Sequence, residues 1–207
     1  METLPFLLQP PEKFSPNSFP FKYQSVRNKL RFVIKEHHAT RAHYDFRLEV
    51  TAALKSWVIE KEGPSMRAGE QRVVRMVGDH NPDFIFREGI IPKGQYGAGE
   101  MIVWDKGLYF PIGGGKSKRE DRLILEAMLK IGEIRIFLMG HKLKGEFKLK
   151  KAYFDAVSWL LEKEDDHYCT DDAMTKLNRS VLTGKTIFEW RDFKKRQNRA
   201  NYSIFED

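Results

Sequence analysis

Residues 36–49, EHHATRAHYDFRLE, hold the densest set of chemistry-bearing side chains in the sequence. Read as a strand, the second half puts His43, Asp45 and Arg47 on one face. Tyr44, Phe46 and Leu48 fall on the other, because side chains alternate with period two. An imidazole and a carboxylate two residues apart on one face can converge on a single cation. His37, six residues before His43, can return from the adjoining turn as a third ligand. Two histidines and a carboxylate suit a borderline divalent metal and leave positions open for water or substrate. Arg47 beside such a metal can clamp a planar anionic group, phosphate above all. The same triad suits non-haem iron in oxygen chemistry, and a His and an Asp on a strand face also form ordinary solvated pairs. Spacing alone leaves these readings open.

The elements that must position these side chains read mostly as strands. Residues 30–35 are rich in β-formers. Alternation continues over 43–50, and further strands are expected at 54–60, 72–77, 84–87, 100–104, 133–139, 142–150 and 157–162. Turn signals separate them at Gly63-Pro64, 79–82, 92–94 and 113–115. Many short strands with frequent turns point to a barrel or sandwich. Residues 119–131 read as a helix with an apolar face of Leu123, Leu125, Ala127, Met128 and Ile131. A short helix is expected at 170–178. Thr186 with Glu189 three residues later is a capping box for a last helix. No internal repeat or linker interrupts the pattern, so one domain is expected. It divides into an N-terminal arm at 1–28, punctuated by Pro5, Pro10, Pro11, Pro16 and Pro20, a barrel at 29–190, and a basic tail or helix end at 191–207.

Composition bounds the function. The chain has 207 residues, enough for a core without disulfides. Its 15 Phe and 4 Trp exclude a disordered chain. No stretch approaches the roughly 18 apolar residues of a membrane span, and the N-terminus lacks the basic n-region of a secretory signal. The single cysteine, Cys169, excludes an internal disulfide and a Cys-rich zinc module. A reducing, cytoplasmic setting is the expectation. A net charge of +7 admits nucleic acid as a partner without requiring it.

The run FVIKEHHATRAHYDFRLE is followed by LKSWVIEKEGPS, DHNPDF, EGIIPKGQYGAG and MIVWDKG, then by GHKLKGEFKL, SWLLEKED and RSVLTGKT. In this order the segments resemble the 3′-phosphoesterase domain of bacterial DNA ligase D and its stand-alone relatives, over about residues 30–188. The resemblance implies a mainly β fold, a compact single-domain β-barrel with a few peripheral helices. It implies a manganese-dependent 3′-phosphomonoesterase and phosphodiesterase, with other divalent metals admissible. Such an enzyme removes a 3′-phosphate, and a 3′-terminal ribonucleoside, from DNA or RNA–DNA primer ends during end repair. Carried across, His37, His43 and Asp45 are metal ligands. Arg47 and His80 are catalytic and contact phosphate, and Lys61 and Arg72 bind phosphate. Implied partners are primer–template 3′ ends, with a Ku-like protein or a ligase or polymerase acting in trans.

Three positions depart from the family pattern. Phe84 stands where a tyrosine is usual, Lys35 stands where glutamine is usual, and residues 1–28 lack the family's basic–acidic run. These departures motivate an alternative, a nucleic-acid-binding or end-joining accessory module with weak or no catalysis. Other features are read as structural. Gly94, Gly97 and Gly99 lie between strands and serve a turn. Trp57, Trp104 and Trp159 belong to the core, and His38 should point away from His37. The row of Lys142, Lys144, Lys148 and Lys150 either tracks a DNA backbone or is a solvated strand face. The basic run at 191–199 is either a nucleic-acid tail or a helix end.

Overall fold

The computed structural model describes residues 29–95 and 97–202. The expected arm at 1–28 lies outside the described residues. Nine strands carry the fold: β1 (Leu30–His38), β2 (Ala42–Glu49), β3 (Leu54–Ile59), β4 (Gln71–His80), β5 (Gly89–Ile91), β6 (Gly99–Pro111), β7 (Glu133–Gly140), β8 (Lys144–Lys151) and β9 (Ser158–Lys163). They pair antiparallel in the order β1-β2-β3-β4-β9-β8-β7-β6, and a β1–β6 ladder closes these eight into a barrel. β5 adds to the free side of β6. An eight-stranded barrel has an interior just wide enough for side chains to fill.

The alternation read from the sequence fills it. Phe32, Ile34, Phe46, Leu48, Trp57, Phe147 and Leu149 are fully buried and belong to one core. Trp57 meets Trp159 edge-on, and Tyr44 meets Trp104 likewise. The three tryptophans expected in the core are there. Tyr109 donates its hydroxyl to the Glu49 carbonyl at 2.8 Å, which satisfies the polar tip of a buried ring.

Two irregularities bear on the site. The β1–β6 register shifts between Ile34 and Lys35, and the β3–β4 register shifts between Leu54 and Ser56. Bulges of this kind re-aim side chains next to active sites. Here one lies beside Lys35, and the other opposes Leu54 to His80.

Two helices flank the barrel, α1 (Lys118–Ile131) and α2 (Ile187–Tyr202). Ser117 caps α1 by accepting from Glu120 N, and Gly132, at φ 84°, ends it in the left-handed region. The apolar face of α1 is narrower than the periodicity suggests. Leu123 is 57% exposed and Ile131 80%, and Ala127 is exposed as well. Leu125 is the buried anchor, with Met128 and Leu129 packed on the core. The capping box of α2 forms: Thr186 N donates to Glu189 at 3.0 Å and Glu189 N to Thr186 Oγ1 at 3.2 Å. Among the described residues no helix is long and apolar enough to cross a membrane.

Two expected elements are different. Residues 84–87 do not form a strand. Asn81 accepts from Asp83 N and Pro82 occupies the first turn of a 3-10 helix at Pro82–Phe84. That cap chemistry overrides the β-propensity of Phe84 and Phe86. The strand instead begins at Gly89. Residues 170–178 hold only a 3-10 turn at Met174–Lys176.

Candidate active site

On the sector formed by β1, β2 and β3, the outward faces are not solvated. Lys35, His37, Asp45 and Arg47 are buried there, and they line a cavity of about 1080 Å³. The other walls come from the segment after β4, including Phe84 and Arg87, from Gln95 and Gly97 before β6, and from Trp190 of α2.

The β1–β2 ladder places His37 directly opposite His43, with ring centroids 4.8 Å apart. Asp45 follows on the same face of β2. His37 Nδ1 lies 3.8 Å from Asp45 Oδ2, and His43 Nε2 lies 3.6 Å from Oδ1. One donor atom from each of the three falls within 4.8 Å of the others. The outer partners fix which nitrogen faces inward. His37 Nε2 lies 3.0 Å from Gly97 O, and His43 Nδ1 lies 3.0 Å from Arg41 O. A carbonyl only accepts, so each of these nitrogens carries a hydrogen. In the neutral rings, His37 Nδ1 and His43 Nε2 therefore turn lone pairs toward the Asp45 carboxylate. Three electron-rich atoms aimed at one point, with carbonyls orienting both imidazoles, fit a divalent cation.

The three side chains feel different electrostatic surroundings. Burial lowers the His37 pKa, against the pull of Asp45. The contact with Asp45 raises that of His43, against burial. Burial acts to raise the Asp45 carboxyl, but His43 and Arg47 outweigh it and hold the group at about 2. Arg47 Nη2 donates to Asp45 Oδ2 at 2.8 Å, while Arg47 Nε is buried with no partner among the described residues. Donor capacity is thus left beside the triad. His80 reaches the same cavity. Its Nδ1 lies 2.9 Å from Ser56 Oγ, whose hydroxyl donates to Leu54 O at 3.2 Å. Ser56 Oγ then accepts from Nδ1–H, which leaves Nε2 as the lone-pair atom. Burial, then Arg47, lowers the His80 pKa and favours this neutral form.

The sequence is similar to that of known proteins. The family model for the DNA ligase D 3′-phosphoesterase domain matches residues 35–151. The chain belongs to this family. Among its relatives is the multifunctional non-homologous end joining protein LigD of Pseudomonas aeruginosa, 35% identical over 164 residues, 76% of this chain and 18% of that protein. The LigD of Mycolicibacterium smegmatis is 34% identical over 156 residues, 73% of this chain and 19% of that protein. The chain thus spans about a fifth of the length of these curated relatives.

The structure gathers five of the seven expected site residues, His37, His43, Asp45, Arg47 and His80, in one cavity. The other two lie elsewhere. Lys61 is exposed in the turn after β3. Arg72 is engaged by Glu70 at 2.5 Å and by Gly63 O at 3.2 Å. Neither lines the cavity. Sequence reasoning did not find the site roles of Lys35, Ser56, Arg87 and Trp190. Lys35 was legible, since it precedes His37 by two on the same strand face. Arg87 and Trp190 arrive from a turn and a distant helix, and periodicity carries no signal for them. The glycine-rich turn does more than reverse the chain, because the carbonyl of Gly97 orients His37. His38 does turn away, to Glu36 at 2.9 Å and to the edge of Phe188. Two of the four lysines in the row are engaged. Lys148 pairs with Glu162 and Glu164, and Lys142 donates to Leu177 O and Arg179 O. Of the basic run at 191–199, Arg191 pairs with Glu100 at 2.7 Å. The side chains of 194, 195 and 197–199 lie outside what is described.

Proposed function

We propose that this chain is a metal-dependent phosphoesterase that processes 3′ ends of DNA or RNA–DNA primers in non-homologous end joining. It would remove 3′-phosphates and, as a second activity, 3′-terminal ribonucleosides. The convergence of His37 Nδ1, His43 Nε2 and the Asp45 carboxylate beside the spare donors of Arg47 carries the reading. Manganese is the proposed metal, held by these three side chains. When bound, it supplies Lewis acidity and lowers the pKa of coordinated water. Arg47 binds a phosphoryl oxygen and neutralises charge that builds on it. His80 accepts a proton at Nε2 and returns it to the leaving oxygen. Asp45 keeps the Arg47 guanidinium in place. Lys61 and Arg72 remain proposed phosphate contacts for the strand outside the cavity, and 1–28, 29–190 and 191–207 the proposed division into arm, barrel and tail. A cytoplasmic setting, with a Ku-like protein, ligase or polymerase as partner, completes the proposal.

The test is a gel assay on a primer–template bearing a 3′-phosphate, and a second bearing a 3′-terminal ribonucleotide, with manganese or chelator and with His43→Ala as control. Conversion of 3′-phosphate to 3′-hydroxyl, lost with chelator and in the variant, is the expected result. Absence of turnover on both substrates, with the duplex still bound, would overturn it in favour of a binding module. Oxygen uptake driven by iron would favour the oxygenase reading of the triad.

A further inference from the structure

The cavity holds a guanidinium that neither the metal triad nor the resemblance accounts for. Arg87 lines the cavity together with Arg47, His37 and His80. Its guanidinium carbon sits 5.3 Å from the centroid of the Phe84 ring, and the side chain has no ion pair among the described residues. The neighbouring carboxylate does not neutralise it. Glu88 accepts from Val103 N at 2.7 Å, from Ser180 Oγ, and from Thr183 Oγ1 at 3.2 Å, so it is committed to the 180–183 turn.

The backbone that presents Arg87 is fixed from below. Arg87 N donates to Phe84 O at 3.2 Å, closing a turn. Lys35, 1% exposed, donates from one Nζ to both Phe84 O and Arg87 O at 2.9 Å each. A buried ammonium thus pins both ends of the turn to β1, two residues from His37. The result is a cation with a fixed backbone, a stacking ring for its guanidinium, and no acid to satisfy it. Arg87 is itself exposed, so its guanidinium is open to an anion that arrives with the substrate.

We propose that Arg87 is a substrate-binding residue that contacts the terminal phosphate in this cavity, with Lys35 and Phe84 as its positioning residues. The proposal rests on the phosphoesterase reading for the identity of the anion. It assigns to Arg87 the contact that the expected site arginine, Arg72, is not placed to make from its pairing with Glu70. It also gives Phe84, which has no hydroxyl to offer a phosphate, a different use as the surface on which the guanidinium lies.

The experiment measures binding of inorganic phosphate to the full metal-free chain by calorimetry, apart from any turnover. Arg87→Ala should weaken phosphate binding by about tenfold or more, the low end for a charge-assisted hydrogen bond. Arg87→Lys, which keeps the charge but not the fork, should fall between the two. Arg119→Ala, an exposed charge removed from α1, should change nothing. A parallel titration uses a primer–template with a 3′-hydroxyl. If Arg87→Ala lowers affinity for that duplex and leaves phosphate binding intact, the contact is to an internucleotide phosphate and the proposal falls. Unchanged phosphate affinity in Arg87→Ala, or no saturable phosphate binding by the unsubstituted chain, also overturns it. Phosphate binding that depends on Arg87 in a chain inactive on 3′-phosphate ends would uphold the anion site while the enzymatic reading failed.

Discussion

β2 carries two buried carboxylates on its outer face, four residues apart. Asp45 is 7% exposed and Glu49 4%. Their surroundings differ in kind. Glu49 meets Arg31 at 2.7 Å, Arg122 at 2.8 Å and Lys118 at 2.9 Å, which draw β1 and α1 onto β2. Its charge is over-compensated, and no lone pair faces it. Asp45 meets one guanidinium and the lone-pair sides of two imidazoles. Burial acts to raise both carboxyls, and close partners hold both at about 2. A depressed pKa therefore does not separate the two sites. What separates them is the sign of the remaining neighbours: cations close the Glu49 cluster, while imidazoles leave the Asp45 cluster asking for a cation. A perturbed carboxylate marks a functional site only when its surroundings are electrostatically incomplete.

Substitution at each carboxylate should break this contrast in opposite ways. Asp45→Asn should lower activity on a 3′-phosphate end by on the order of 10³-fold, since it removes the one carboxylate of the proposed ligand set. Calorimetric titration with manganese should show the matching loss of binding. Glu49→Gln should leave manganese binding and turnover intact well below the melting transition. It should instead cost about 3 kcal/mol of unfolding free energy, because Arg31, Lys118 and Arg122 lose their shared partner. Urea unfolding checks the second claim, and a variant that loses activity without losing stability would erase the distinction.

The pH dependence sharpens it further. Burial acts to raise the Glu49 carboxyl, but Arg31 and Lys118 outweigh it and depress the group from the usual range to about 2. A depressed folded-state pKa gives stability that is fully present above the unfolded value, near 4.3. It is lost as pH falls through the folded value. Because its cationic partners remain about a third exposed, solvent screening discounts the effect to roughly 2 kcal/mol. Unfolding free energies of the metal-free chain, measured between these two pH values, should fall as acid is added. Glu49→Gln should remove the Glu49 share of that slope and leave the share of Asp45, which is held at about 2 as well, and a slope unchanged by the substitution would place the effect elsewhere.

How much of this was legible follows from the range of each interaction. Period-two alternation predicts the shared face of His43, Asp45 and Arg47 on β2, whereas His37, expected to return from the adjoining turn, sits on β1 directly opposite His43 because β1 runs on to His38. The α2 capping box is local as well, and it formed. The α1 face was misread because the spacing that aligns Leu123, Ala127 and Ile131 describes a stripe, while the barrel decides which stripe is covered. The turn at 82–87 was misread because Phe84 and Phe86 alternate like a strand, whereas Asn81 and Pro82 set the backbone. Lys35 could be placed on the site face, but its pairing with two carbonyls about 50 residues away could not. The pairing of Arg72 with Glu70 and of Lys148 with Glu162 and Glu164 likewise depends on partners that periodicity does not reveal.

The smallest expected effect concerns the rim of the open cluster. Phe84 is 47% exposed, its carbonyl is held by Lys35, and its ring underlies Arg87. Phe84→Tyr adds a hydroxyl without disturbing a packed core, so stability should hardly move. If the added oxygen reaches a bound phosphate, it contributes one more donor to a charged acceptor, and turnover of 3′-phosphate ends should rise by up to about tenfold. The change should appear in kcat/KM with manganese present and vanish with chelator. An equal gain in the Asp45→Asn background would mean that the hydroxyl acts outside the metal cluster, and the rim would then belong with the closed, structural end of β2 rather than with the open one.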